Sequence, residues 1–543
     1  EFVLCMEYVI CRFVMIEGEP DMKQHTFKTW MITLLSFVML FGLVVNFNTK
    51  TVFAEDENGH TDHSDWIELT QTSGELQSGK YYLDNDLVYA NGQSKYIVIP
   101  SDAEVHICLN GHVISNSNGG VFLVNGTLYL YDCGNSEHTF SEDSHGRWYL
   151  DENGDKTING GVITGIGHWE YDCRGLGIRN CGGTVYMYDG NIVGCNAPGP
   201  DGNVAGLSGS AIYNDGSFYM YGGTISHNYA AGYGTVLNQG NFTMSGGEIS
   251  YNKVEYSGGG IYTLEGNTTI TGNSVISHNN VGDEGGGIFS KFSNLTISGN
   301  AAIQSNSAPD GGGVYYQGIF SNDYSRQTPS ITISGSPSIQ FNSANRGGGI
   351  CFSSIFKGAF ISGKPVIANN TGYNVFDSAY HTGRTILNLS DMEPGAHIGV
   401  YRDTVAIGDK LSFVTNDGDF SAYLFSDNSF NKVIYYAESN KTVLTAVSSF
   451  DNRQGDRDID PNDYIDGETT WDIPNGPTAT FMGWYTDKDG RGEKLTGNPV
   501  EDTTYYAKWV VGNRTVCTTG FALYDTSFAW PELGIKYVYD YET

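Results

Sequence analysis

The chain has 543 residues, of which 71 are glycine, 39% are hydrophobic and only 17% are charged. The length leaves room for two to four domains, the glycine content and low charge exclude a coiled coil, and the hydrophobic content argues against a disordered chain. The formal net charge of −32 argues against binding to a nucleic-acid backbone, but it is compatible with calcium or neutral sugars and so selects no partner.

The N-terminal segment has the pattern of a secretory signal peptide. Residues 1–21 precede Met22, and we interpret them as a non-native or upstream extension. Within residues 22–54, a basic region is followed by an apolar run and then by small residues that end at Ala54, where we predict cleavage. A membrane anchor, the alternative, requires a longer apolar run, and no other stretch is predicted to span a bilayer.

Residues 55–104 are predicted to form an N-terminal cap for the domain that follows. His60 and His63 lie in its polar first part, which we expect to be a mobile terminus rather than a metal site. From Trp66 onward, short apolar runs separated by Gly, Asn and Asp predict strands. These strand predictions cover residues 81–83, 96–99, 106–109 and 121–124. The polar residues 134–156 are expected to form a surface loop.

Residues 105–384 contain a repeat whose units each end in asparagine. The asparagines are 24 to 36 residues apart, and such a period indicates a solenoid. Three apolar columns, beginning at Met187, Ile192 and Ile212, have neighbours that alternate in polarity as in half-buried strands. Three short strands per turn, stacked on their equivalents, predict an all-β fold, a parallel β-helix solenoid. The repeated asparagines are Asn196, Asn228, Asn252, Asn279, Asn306, Asn342 and Asn370.

Glycine and asparagine are predicted to make the corners between strands. Strands of adjacent turns lie about 4.8 Å apart, so each corner must repeat without a side-chain clash. Glycine runs such as residues 258–260 permit a positive φ, and asparagine tolerates the left-handed region. Stacked amides can also hydrogen-bond along the column. The ladder asparagines are therefore predicted to be structural rather than catalytic.

Other positions in the repeats support weaker functional hypotheses. Residues 197–208 and 315–329 lengthen two otherwise uniform corners, and such insertions tend to lie on the binding face. Tyr219, Tyr221 and Tyr256 could stack on sugar rings, although ordinary strand positions are the favoured interpretation.

The candidate catalytic or metal-binding residues are Glu284, Asp310 and Arg346, which precede successive glycine runs. We expect them on adjacent turns, about one strand spacing apart. Two carboxylates at that distance could share a calcium ion or raise one pKa, and Arg346 could contact an acidic sugar or neutralise the carboxylates. A stacked surface salt bridge is the favoured interpretation.

Seven cysteines remain after the predicted cleavage, and their number and spacing indicate neither a zinc site nor a disulfide framework. Cys173 could pair with Cys181 or Cys195 outside the cell. Cys351 follows an inward-facing isoleucine and is expected at an outward or turn position.

The C-terminal part departs from the repeat. Residues 385–450 are predicted to form the final turns and a C-terminal cap, which would cover the strand edges of an open solenoid end. Residues 451–475 read as an acidic linker. Within it, Asp456, Asp458 and Asp460 have the spacing of a calcium loop, but the residues that follow depart from that motif, and a solvated linker is favoured.

Residues 476–511 show alternating aromatic residues around an Asp-Gly turn. This pattern predicts a small β module with Trp484 and Trp509 in its core. Residues 512–543 have no clear pattern and remain an undefined tail.

Two regions resemble known families. Residues 108–112, C-L-N-G-H, and 242–252, F-T-M-S-G-G-E-I-S-Y-N, resemble the glycine-rich, pectate-lyase-like domain of clostridial-type surface proteins. Residues 481–485, F-M-G-W-Y, and 501–509, E-D-T-T-Y-Y-A-K-W, resemble the Listeria/Bacteroides repeat, or internalin B-repeat. The first resemblance implies a right-handed parallel β-helix. The second implies a β-grasp-like module, and together they imply the extracellular space or the cell envelope of a Gram-positive bacterium.

These observations lead to two functional predictions. The favoured one is an exported adhesin or scaffold, expected to be a monomer, that binds a glycan or a host or cell-surface protein. The alternative is a pectate-lyase-like polysaccharide lyase or a hydrolase acting on acidic glycans, because the same fold carries such enzymes. A structural spacer is a third interpretation. No cofactor is predicted, and calcium is the one ion that the carboxylates named above could hold.

Overall fold

The fold is described from a computed structural model. The residues described are 63–89, 96–167, 175–197, 209–318, 329–353, 358–377, 387–402, 411–412, 414–428, 431–446, 449–451, 469–471, 479–487, 492–500, 503–511 and 514–516. Over these ranges the chain consists of strands, turns and bends, with no α-helix. The predicted signal peptide, the insertion 198–208, the centre of the second insertion, the calcium-loop residues Asp456, Asp458 and Asp460, and most of the tail lie outside them.

Three long parallel sheets form the solenoid, which confirms the predicted β-helix. Each turn passes through sheet A, then sheet C, then sheet B. Sheet A comprises Ile67–Glu68, Gly79–Tyr82, Glu104–Cys108, Thr127–Tyr131, Thr184–Met187, Ser217–Met220, Asn241–Met244, Asn267–Ile270, Asn294–Ile297, Ile331–Ile333, Ala359–Gly363 and Leu387–Met392.

The other two sides share a continuous network of 23 strands, which we divide into sheets B and C. Sheet B comprises Gly74–Glu75, Ile97–Ile99, Phe122–Val124, Ile178–Asn180, Ile212–Asn214, Val236–Asn238, Ile261–Leu264, Ile288–Lys291, Val314–Gln317, Ile350–Ser353 and Val375–Asp377. Sheet C comprises Leu87–Val88, Val113–Asn116, Val162–Gly165, Asn191–Val193, Thr224–Ser226, Glu248–Ser250, Val275–Ser277, Ala302–Gln304, Ser338–Gln340, Val366–Ala368, His397–Arg402 and Leu424–Ser426.

The core is the dry interior between the three sheets. The predicted columns that begin at Met187, Ile192 and Ile212 lie in sheets A, C and B, and successive members are backbone register partners. All their side chains are at most 2% exposed. Burying one such side chain contributes about 1.5–3 kcal/mol, so the repeated columns supply much of the stabilisation of the solenoid.

A ladder of amides runs along the corner between sheets C and B. From Asn228 onward, each Nδ2 donates to the Oδ1 of the next ladder asparagine over 2.9–3.0 Å, as far as Asn370. Asn370 passes the ladder to Asn374 over 2.8 Å. Asn196 lies beside this ladder rather than in it, because the backbone N–H of Cys195 donates to Asn228 and the Asn196 amide donates to the carbonyl of Trp148.

The corner geometry differs from our expectation for asparagine. The left-handed conformation belongs to the residue before each ladder asparagine and not to the asparagine itself. The asparagine is held by the ladder through its backbone N–H and its side chain. These residues have φ between 53° and 59° and are His227, Tyr251, His278, Ser305, Phe341 and Asn369. The glycine runs begin with a positive φ as expected, for example 76° at Gly258 and 71° at Gly285.

The segments after Asn228, Asn252 and Asn279 add strands to a short fourth sheet and then cover the outer face of sheet B, where Gly258 lies against Tyr262 and Gly285 against Phe289. Sheet D comprises Asn196–Ala197, Tyr229–Ala230, Lys253–Val254 and Asn280–Val281. Beneath this cover lies a second hydrophobic cluster, outside the core, formed by Tyr213, Leu237, Tyr262, Phe289, Tyr315, Cys351, Phe376 and Tyr401. Cys351 is therefore on the outward side of its strand but buried.

The prediction that residues 134–156 form a surface loop is wrong. This segment forms an antiparallel sheet of Glu137–Glu142, Trp148–Leu150 and Lys156–Asn159. Phe140 and Trp148 pack on outward-facing valines of sheet C, so the segment has a small core of its own. The hydrophobic residues that anchor it are few and widely spaced, which is why composition alone indicated a loop.

The C-terminal part contains two further sheets. Leu411–Ser412, Asn431–Tyr436 and Lys441–Ala446 form an antiparallel sheet after the last turns. The second sheet comprises Ser449–Asp451, Thr469–Trp471, Ala479–Tyr485, Thr504–Val511 and Arg514–Val516, of which Ala479–Tyr485 and Thr504–Val511 belong to the predicted module. Trp484 is 2% exposed, which confirms its predicted place in the module's core.

Candidate functional site

Two columns of tyrosine rings cover part of the outer face of sheet A. We call these six residues the tyrosine array: Tyr129, Tyr186 and Tyr219 in one column, Tyr131, Tyr188 and Tyr221 in the other. Successive ring centroids within a column are 4.8–5.1 Å apart, and the ring planes lie 5–15° from parallel. His106 extends the first column, since its ring stacks on Tyr129 with centroids 4.2 Å apart.

The parallel register of sheet A creates this array. Tyr129, Tyr186 and Tyr219 are direct register partners on adjacent turns. The residue between the two columns on each turn points into the core, and Met187 and Met220 are fully buried there. Alternation along each strand therefore places both tyrosines of a Tyr-x-Tyr motif on the outside.

The array is confined to one stretch of the solenoid. Further along the same two columns, Tyr-x-Tyr gives way to Thr243-Met-Ser245, and the equivalent residues on later turns are Thr269, Thr271, Thr296, Ser298, Thr332 and Ser334. These four turns keep the same register and the same buried core without aromatic side chains in the two columns, and Phe360 occupies the first column on the turn after them. The fold therefore does not require tyrosine at these positions.

Apart from the buried Tyr131, the rings present phenol edges and hydroxyl groups to solvent. Tyr221 is 38% exposed, and most of the other rings are half-buried. Burial raises the pKa of Tyr221, and the nearby hydroxyls of Tyr186 and Tyr219 raise it further. The hydroxyl of Tyr221 therefore lies close to those of Tyr186 and Tyr219 and stays neutral near pH 7. Each hydroxyl offers one hydrogen-bond donor and acceptor sites beside an apolar ring, a combination that suits a polyhydroxylated ligand.

Glu284, Asp310 and Arg346, the predicted acidic column, lie on adjacent turns as expected. Glu284 and Asp310 are paired by a parallel backbone bridge, and so are Asp310 and Arg346. The guanidinium of Arg346 contacts both carboxylate oxygens of Asp310, with Nε donating to Oδ1 over 2.8 Å. Ser257, one turn before Glu284, is buried.

The two carboxylates of this column, Glu284 and Asp310, lie in different electrostatic environments. Burial raises the pKa of Glu284, and the neighbouring Asp283 and Asp310 raise it further, while a hydrogen bond from Tyr315 opposes them. The pKa of Arg346 is raised by its hydrogen bonds to Asp310. A guanidinium held in this way cannot accept a proton, so it is unsuited to be the base of a lyase. The geometry at Asp310 and Arg346 is that of a surface salt bridge.

A third aromatic group stacks over the corner next to the ladder. The ring of His227 lies 3.7 Å from that of Trp148 and 5.2 Å from that of Tyr251, which in turn stacks on His278. Burial lowers the pKa of His227 to about 4, so its ring is neutral at pH 7. This contact anchors the sheet of residues 137–159 to the solenoid.

Within the described ranges, one group of three potential metal ligands has its ligand atoms within 4.8 Å of one another: His63, Cys108 and Cys133. A hydrogen bond with Cys133 and burial raise the pKa of Cys108 well above its usual value. Cys181 and Cys195 are also free thiols. Cys173, the partner proposed for either, lies outside the described residues.

The sequence analysis named Tyr219 and Tyr221 but missed the other four tyrosines of the array. The available signal was the motif Tyr-x-Tyr, which occurs at 129–131, 186–188 and 219–221. Tyr256, named with them, is half-buried and belongs to a different group, since its ring packs against Tyr233 on the cover of sheet B.

Comparison of the chain with protein-family models, with curated proteins and with solved structures gave no match. Among the residues described, no helix is long and apolar enough to cross a lipid bilayer.

Proposed function

We propose that the chain is an exported, surface-associated β-helix protein whose tyrosine array binds a neutral polysaccharide. The observation that carries the proposal is the concentration of paired, outward-facing tyrosines on three adjacent turns of sheet A, because threonine and serine fill the same two columns on the four turns that follow. Six rings arranged in register form an extended surface. With His106 the array covers three strand spacings, roughly 14 Å, which favours an oligosaccharide chain over a single sugar.

The chemistry of the array favours sugars over other ligands. Ring edges supply apolar contact, and the clustered hydroxyls supply hydrogen bonds in both directions. The net charge of −32 repels acidic polysaccharides at low ionic strength, so neutral or amino sugars are the better partners. A protein ligand is the competing class, and binding assays can separate the two.

The proposed location rests on the sequence. The signal-peptide pattern at 22–54 and the resemblances to clostridial-type surface proteins and to the Listeria/Bacteroides repeat support export to the cell envelope of a Gram-positive bacterium. In this proposal the solenoid is a rigid scaffold that presents the array, and the C-terminal module is a stalk or adhesion element.

The test is a glycan array probed with the intact exported chain and with two variants. The array variant carries Tyr186→Thr, Tyr188→Ser, Tyr219→Thr and Tyr221→Ser, which are the residue types of Thr243 and Ser245 in the same columns on the turn after Tyr219 and Tyr221. The control is Tyr251→Ser, an exposed stacked tyrosine whose column contains Ser305. Circular dichroism and urea unfolding verify that both variants remain folded.

We expect the intact chain and the control to bind a neutral glycan, and the array variant to bind it at least about tenfold more weakly. Each hydrogen bond lost from a tyrosine hydroxyl is worth about 0.5–1.5 kcal/mol, and 1.4 kcal/mol corresponds to a factor of ten. Equal binding by the array variant would refute the site. Binding to proteins alone, or release of unsaturated sugars from a polyuronide, would refute the proposed ligand class and activity.

A further inference from the structure

A compact set of nitrogen and sulfur ligands lies beside the first turn of the tyrosine array, at the ends of the strands Glu104–Cys108 and Thr127–Tyr131. The Sγ atoms of Cys108 and Cys133 are 3.3 Å apart, and Cys133 Sγ is 3.7 Å from Nε2 of His63. Cys108 is fully buried, whereas His63 and Cys133 are half-buried. An ion could therefore reach the group from solvent.

The backbone fixes both cysteines. Cys108 ends the strand Glu104–Cys108 and is the register partner of Tyr82 and Tyr131, so it occupies the second tyrosine column. Cys133 follows Asp132, whose carboxylate accepts hydrogen bonds from the backbone N–H groups of Gly111, Gly134 and Gly161 over 2.6–3.2 Å. These bonds hold the turn that carries Cys133 against the turn that follows Cys108.

Gly134 makes this packing tight. A Cβ at Gly134 would lie 2.2 Å from the backbone nitrogen of Gly111, so only glycine permits the two turns to approach so closely. The two thiols are thus brought together by rigid backbone rather than by adaptable side chains.

The imidazole and a nearby amide are oriented by their own contacts. The ring of His63 stacks on Tyr82 with centroids 4.8 Å apart, and Trp66 meets it edge-on at 5.5 Å. Asn110 donates its Nδ2 to the carbonyl of Leu83 over 2.9 Å, and its Oδ1 lies 3.5 Å from Cys133 Sγ. Such supporting contacts are what orients the ligands of a metal site.

We propose that His63, Cys108 and Cys133 bind a zinc ion. Thiolate and imidazole are the usual zinc ligands, with bond lengths of about 2.3 and 2.0–2.1 Å in tetrahedral geometry. These lengths place sulfur and nitrogen about 3.6 Å apart and two sulfurs about 3.8 Å apart. The observed 3.7 Å fits, and the thiols need to separate by about half an ångström.

The fourth position of the tetrahedron remains for Asn110 Oδ1 or a water molecule. Zinc binding displaces the two thiol protons to solvent and joins the segment that carries His63 to the first turns of the solenoid. The competing chemistry is a disulfide between Cys108 and Cys133, which requires an external oxidant and gives His63 no role. It is an outcome of the test below.

The experiment uses the full chain, purified reduced and then incubated with zinc and dialysed. Bound zinc is measured by elemental mass spectrometry, and the ligand set by the absorption spectrum after replacement with Co²⁺. The variants are Cys133→Ser and His63→Ala, and Cys181→Ser serves as a control that alters a half-buried thiol elsewhere. His63→Ala removes a group from the surface and leaves the core intact, so it remains informative if Cys133→Ser unfolds.

We expect one zinc ion per chain, a thiolate-to-cobalt charge-transfer band, and zinc affinity reduced about tenfold or more by His63→Ala and Cys133→Ser but unchanged by Cys181→Ser. Three results would overturn the proposal: no retained zinc, zinc affinity that is unaffected by His63→Ala, or a chain isolated with Cys108 and Cys133 joined and resistant to alkylation. Zinc binding is independent of glycan binding, so either proposal can fail alone.

Discussion

Replacement of Asn279 by alanine tests the amide ladder where it is most completely buried. Asn279 has no exposed surface. Its Nδ2 donates to Asn306 Oδ1 over 3.0 Å and to the carbonyl of Ile249 over 2.9 Å, while its Oδ1 accepts from the backbone and side chain of Asn252 over 3.1 and 2.9 Å. Alanine removes all four hydrogen bonds at once.

The expected cost follows from the groups left behind. The carbonyl of Ile249 and the backbone N–H of Asn252 lose their side-chain partner, whereas the Asn252 amide keeps the carbonyl of Ile225 and Asn306 keeps the backbone N–H of Asn279. A buried polar group without a partner costs about 1–3 kcal/mol. Two such groups predict a loss of about 2–6 kcal/mol in the free energy of unfolding.

The matched control is Asn267→Ala on the same turn. Asn267 also belongs to an amide ladder, with Asn241 and Asn294 at 3.0 and 3.1 Å, but this ladder is exposed on sheet A. Exposed substitutions change stability by at most about 0.5 kcal/mol. Urea unfolding followed by circular dichroism gives both values. If Asn279→Ala costs no more than Asn267→Ala, the ladder does not stabilise the corner as argued.

Two further predictions concern backbone spacing and charge. Gly259→Ala places a Cβ 2.2 Å from the carbonyl oxygen of Gly286 on the next turn, so we expect urea unfolding to show a destabilisation of at least about 1–3 kcal/mol. Gly497 has open space around it, so the control Gly497→Ala should be neutral. Equal effects of the two substitutions would contradict the stacking distance. The pKa of Glu284 is raised in the fold, so its ionisation costs stability as pH rises from its ordinary value of 4.5 through the raised pKa. The Glu284→Gln variant should therefore gain in stability relative to the native chain over that pH interval, as measured by unfolding midpoints. If the midpoints of the two proteins change in parallel with pH, the Glu284 carboxyl does not contribute to the pH dependence of stability.

The solenoid could be predicted from sequence because its physical requirements recur. Each turn must supply inward-facing apolar residues at three positions, and each corner must avoid a clash at the same spacing, so columns such as Met220–Met244 and Asn252–Asn279 were visible as repeats. The left-handed corner residue was not predictable in this way, since His227 and Ser305 share no chemical feature beyond their place before asparagine.

The candidate sites were harder to predict because they depend on register across insertions. The segment at 137–159 separates Tyr129 from Tyr186, although the two are direct partners on adjacent turns. His63 and Cys133 are 70 residues apart in sequence yet 3.7 Å apart in space. Alignment of the repeats on asparagine could not connect these turns, because the ladder begins only at Asn228.

Chemical footprinting of tyrosine tests most directly whether the array is the binding surface. The intact chain is nitrated with and without a saturating concentration of the neutral glycan that it binds, and each tyrosine is followed by peptide mass spectrometry. If the array is the binding surface, the glycan protects Tyr186, Tyr188, Tyr219 and Tyr221, and Tyr251 is equally reactive in both states. Protection of Tyr251 with no change at the four array residues would contradict that proposal.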